Sequence, residues 1–66
     1  MKKGDLISLA SPVRFFDETG NSCIILGLAL VLESNEWDVT CLVDREVLWT
    51  NWLELGDCGE KVEYVT

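Results

Sequence analysis

The side chains with reactive potential in this chain are three cysteines, Cys23, Cys41 and Cys58, and twelve carboxylates; there is no histidine. Without an imidazole, general acid–base work would fall to carboxylates, tyrosine or lysine. The close carboxylate pairs, Asp38 with Asp44 and Glu33 with Glu36, fall at expected strand ends and turns, where charge is ordinarily solvated. Cys58, in Gly56-Asp57-Cys58-Gly59, has Lys61 three residues on as a cation and no evident base to activate it. No catalytic residue is assigned, and the chain is expected not to be an enzyme.

The cysteines are spaced by 18 and 17 positions, which matches no zinc knuckle, and an odd number cannot close an intramolecular disulfide framework. We expect no metal and no cofactor. Cys23 and Cys41 read as small apolar packing residues of a reduced, cytoplasmic protein, and Cys58 as part of a polar turn. Trp37, Trp49 and Trp52, with Asp38 and Glu54, have the composition of an aromatic cage for a cationic peptide. The plainer role, packing across paired strands or at an interface, weighs more heavily.

Twelve acids against five bases leave a formal charge of −7. Binding to phosphate backbones is driven by lysine and arginine displacing counterions, so nucleic acid is not an expected partner. An anionic membrane surface is disfavoured for the same reason. A basic host protein or peptide is the charged partner left open. Mimicry of nucleic acid would need carboxylates in a regular array, and here they are scattered.

Those side chains must be positioned by short strands. The run Cys23–Leu32, CIILGLALVL, is ten apolar residues long, well under the roughly 20 needed to span a bilayer. The N-terminal Met1-Lys2-Lys3 is followed by Asp5 and too short an apolar run for a leader segment. At period two the run separates large even-numbered residues, Ile24 to Leu32, from mostly small odd-numbered ones, the signature of a strand. Gly27 within it marks a bend of the kind a small barrel needs.

Trp37–Val43 alternates, with Trp37, Val39, Cys41 and Val43 on one side. Asp44-Arg45 makes a tight connection and Glu46–Thr50 a third strand of a meander. Upstream, Asp5–Leu9 is a short strand ended by Ser11-Pro12, with Val13–Phe16 as an apolar clip and Asp17–Asn21 as a loop tip. Asn51–Leu55 reads as one helical turn, Gly56–Glu60 as a polar loop and Lys61–Val65 as a closing strand. The expected fold is all-β: one domain over residues 1–66, a small barrel of about five antiparallel strands.

Gly4-Asp5-Leu6-Ile7, Gly27–Glu33 and Trp49 through Trp52–Leu55 resemble segments of small SH3-like barrel proteins encoded by tailed phages, including those of marine bacteria. The resemblance spans most of residues 4–55 and implies an SH3-like fold and a host-cell cytoplasmic setting. Most such proteins have no assigned function, so it implies no activity. The chain departs from the pattern at Asp44-Arg45, where Asp-Gly is common, in a long Ser11–Asn21 loop, and in eleven residues beyond Leu55.

A chain this short buries only about 60% of its unfolded surface, and below roughly 70–80 residues folds commonly gain stability by association. Ten consecutive apolar residues exceed what one face of a barrel strand can bury. With the large even-numbered side chains assigned inside, Ile25, Gly27, Ala29 and Val31 form a flat outer stripe. The expectation is therefore a homo-oligomer joined through that stripe, a ring if subunits pack head to tail. The alternative is an acidic module that captures a basic host protein or peptide.

Overall fold

The computed structural model describes residues 2–56 and 62–65. Its elements run β1 (Leu6–Phe16), β2 (Ser22–Ser34), β3 (Asp38–Val43), β4 (Glu46–Asn51), α1 (Trp52–Leu55) and β5 (Val62–Tyr64). All strand pairings are antiparallel, in the order β2-β3-β4-β1-β5, and β2 pairs with β1 as well. The sheet thereby curls back on itself, and the all-β, small barrel-like expectation is met. Cys58 and Lys61 lie outside the described residues, as does most of the expected polar loop.

Local sequence explains the connections. Asp44 and Arg45 both take positive φ, 50° and 71°, the conformation that two-residue hairpins require because its twist matches that of the strands. The loop at Asp17 is organised by one carboxylate oxygen. Asp17 Oδ1 accepts from the Thr19 amide at 2.9 Å, the Thr19 hydroxyl at 2.6 Å and the Asn21 amide at 3.0 Å. Asn51 caps α1 by accepting from the Glu54 amide at 2.9 Å, satisfying one of the amides that the first helical turn leaves open.

β1 is one strand where two segments were expected. Its ladder to β2 pairs Leu9 with Gly27 and Val13 with Ile25. Three residues of β1, Ala10–Pro12, therefore stand against one of β2, Leu26, and bulge out of the ladder. Pro12 sits where its missing N–H breaks no bond, which is where sheets tolerate proline. Beside the bulge, Gly27 has φ +102°, and a Cβ there would meet nothing within 4 Å. Glycine is required here by backbone conformation rather than by crowding.

The core comprises Ile7, Leu9, Val13, Phe15, Ala29, Val31, Val39, Cys41, Val43, Leu48 and Leu55. This reverses the expected facing of β2. Ala29 and Val31 are 1% and 0% exposed, whereas Ile24, Leu26 and Leu28 are 61%, 64% and 60% exposed. The reason is volume. A closed sheet of so few strands has a narrow interior, and six of the eleven core residues are valine, alanine or cysteine. A row of further bulky side chains does not fit that space, and a strand's period of two places Ile24, Leu26 and Leu28 outside together, with Leu30 and Leu32 half-buried. The stripe Ile25, Gly27, Ala29 and Val31 is therefore not an outer contact surface: Ala29 and Val31 are core, and Ile25 packs against it.

Candidate functional site

The outer face of β2 is the largest departure from an ordinary soluble surface. Ile24, Leu26 and Leu28 project from it in succession, about 7 Å apart, and Leu30 continues the row half-buried. Leu30 pairs with Leu42 on β3, and Leu42 with Val47 on β4. Leu42 and Val47 are themselves exposed. An aliphatic patch thus runs along one strand and turns across two more. Single exposed hydrophobic residues need no explanation, but joined patches mark contact sites.

A second feature lies on the outer side of β4. A groove of about 540 Å³ runs between the Asp17 loop and β4, with Val47 and Trp49 among its apolar lining and Asp17, Glu18 and Glu46 among its acids. Trp49 stacks on Phe16, ring centroids 4.7 Å apart and planes at 30°, and remains 37% exposed. The Thr19 hydroxyl holds the Asp17 carboxyl below its ordinary pKa, helped by loop amides and opposed by slight desolvation. Asp17 therefore stays ionised across the neutral range.

The three tryptophans do not form one cage. Trp37 is 69% exposed, outside β3, in a turn where Asn35 Oδ1 accepts from the amides of Trp37 and Asp38, each at 2.8 Å. Trp52 packs on the core, and its Nε1–H donates to the Asn35 carbonyl at 2.9 Å. Trp49 alone lines the groove, and among the described residues its ring partner is Phe16. Nothing in composition marked Phe16 as that partner; the pairing of Phe16 with Trp49 across β1 and β4 creates it.

Cys41 is fully buried, and desolvation pushes its thiol up to about 11. Cys23, paired with Phe15, is exposed rather than packed. Among the described residues no three cysteine or carboxylate side chains converge on a point where a metal would sit, and no helix is long and apolar enough to cross a membrane. Set against family models, curated proteins and solved structures, the chain matches none. The functional reading therefore rests on the two surfaces themselves.

Proposed function

We propose that this protein is a non-enzymatic, self-associating interaction module, and that copies meet through the outer face of β2. The observation that carries the reading is the exposure of Ile24, Leu26 and Leu28 on successive outward positions of one strand. Placing such side chains in water forgoes about 1.5–3 kcal/mol each relative to full burial. Association recovers part of that in a chain too small to enclose them itself.

A two-fold contact centred on Leu26 sets Ile24 of one copy against Leu28 of the other, since a dyad makes the same patch serve both partners. A stable interface takes about 800 Å² from each partner, roughly a fifth of this chain's 4491 Å². The aliphatic row supplies the centre, and neighbouring polar residues such as Arg14, paired with Ile24, supply the rim. The resemblance to small phage-encoded SH3-like barrels belongs to the same reading: it suits a structural or adaptor role in a host cell's cytoplasm.

Leu26→Lys tests it. The substitution sets a hydrated ammonium from each copy at the contact centre, where the dyad brings the two together. It also lowers the net negative charge, so a loss of association cannot come from greater overall repulsion between copies. The variant should stay folded, because Leu26 contributes little to the core, and should lose the oligomer seen for wild type. A variant that associates as wild type does would refute the proposed contact.

A further inference from the structure

We propose that the groove between the Asp17 loop and β4 docks a basic segment of a partner protein, with an arginine side chain laid over Trp49. The argument is complementarity of shape and charge. Trp49 offers a flat ring braced from Phe16 by the 4.7 Å stack, and Val47 extends the apolar lining. Asp17, Glu18 and Glu46 line the same groove, and among the described residues no lysine or arginine does. A guanidinium is planar and weakly hydrated, stacks on indole rings and donates in a fork that suits carboxylates. Lysine meets the charge requirement but not the planar one.

The volume, about 540 Å³, lies within the range of sites that enclose a small ligand, so it admits an arginine together with flanking backbone. Asp17 is tied into its loop by three donors to Oδ1, which fixes the loop side of the groove before anything binds. Preorganisation of this kind reduces the ordering cost of binding. The chain's −7 charge adds a long-range field that steers a basic segment inward.

The test is a titration of the full-length protein with a short oligo-arginine peptide blocked at both ends, followed by amide and indole NMR shifts at low salt. Saturable shifts are expected at the Trp49 indole and at Asp17–Thr19 and Glu46. Glu18→Gln combined with Glu46→Gln should weaken binding about tenfold, and Trp49→Leu about three- to tenfold. Glu36→Gln, an exposed acid outside the groove, should cost several-fold less per charge removed, as should Leu26→Lys, which keeps this test separate from that of self-association.

Three outcomes would overturn the proposal. A loss on Glu36→Gln equal, per charge removed, to that of the groove pair would reduce the effect to total charge. An oligo-lysine peptide that binds equally well would remove the role of the Trp49 ring. Groove shifts that develop on concentrating the protein without peptide would show that a second copy fills the groove instead. Circular dichroism confirms that each variant is folded, and the two glutamines, on exposed positions, decide the matter if Trp49→Leu unfolds.

Discussion

The Thr50 hydroxyl donates to the Arg14 carbonyl oxygen at 2.6 Å, across 36 positions of sequence. Thr50 is fully buried, and its bond reinforces the single Phe16–Trp49 pairing by which β4 meets β1. Closure of the barrel on this side thus rests on few contacts. Thr50→Val keeps the shape and removes the donor, so it should cost about 1–3 kcal/mol in urea unfolding. Thr50→Ser should retain most of the stability. Equal stability of wild type and the valine variant would mean that the bond contributes nothing to closure.

Gly27→Ala should destabilise by about 1–3 kcal/mol. The new methyl group meets nothing within 4 Å, so the loss comes from holding an L residue at φ +102°. Unchanged denaturation midpoints would remove the need for a bend at this position.

Strand number, the tight Asp44-Arg45 turn and the helical turn before the last strand were legible in the sequence because each depends on local signals. The facing of β2 was not. From Ile24 to Val31 alternation separated the even-numbered from the odd-numbered residues correctly, but which set points inward depends on the interior volume of the closed sheet. That volume is fixed by pairings such as Leu9 with Gly27 and Phe16 with Trp49, which are remote in sequence. The continuity of β1 through Pro12 was hidden for a related reason: proline ends a regular strand but not a bulge. The groove escaped notice because Asp17, Glu46 and Trp49 come together only when β1 reaches β4.

The cysteines should differ in reactivity. In a Cys58→Ser background at neutral pH, a maleimide should label exposed Cys23 rapidly and leave buried Cys41 untouched while the protein is folded. Cys41 also sets an alkaline limit. Its folded pKa of about 11 lies above the ordinary 9.0, so burial favours the neutral thiol and its contribution is intact below about pH 9. As pH rises from 9 toward 11 the unfolded chain loses its proton first, and stability should fall by roughly 2–3 kcal/mol. Cys41→Ala should flatten that slope; an unchanged slope would place its origin elsewhere.

Salt should act oppositely on the two surfaces. Raising ionic strength from about 0.01 M to about 0.15 M shortens the screening length from about 30 Å to about 8 Å. Repulsion between copies carrying −7 then weakens, and self-association through aliphatic side chains should strengthen. Binding of oligo-arginine in the groove should weaken over the same range. If self-association weakened with salt, the contact would be ionic rather than aliphatic.

Sedimentation velocity of wild type and Leu26→Lys, side by side at tens of micromolar and moderate salt, tests the central claim most directly. The outward position of Ile24, Leu26 and Leu28 predicts an oligomer for wild type and a folded monomer for the variant. A monomeric wild type, or a variant that sediments as wild type does, would contradict it.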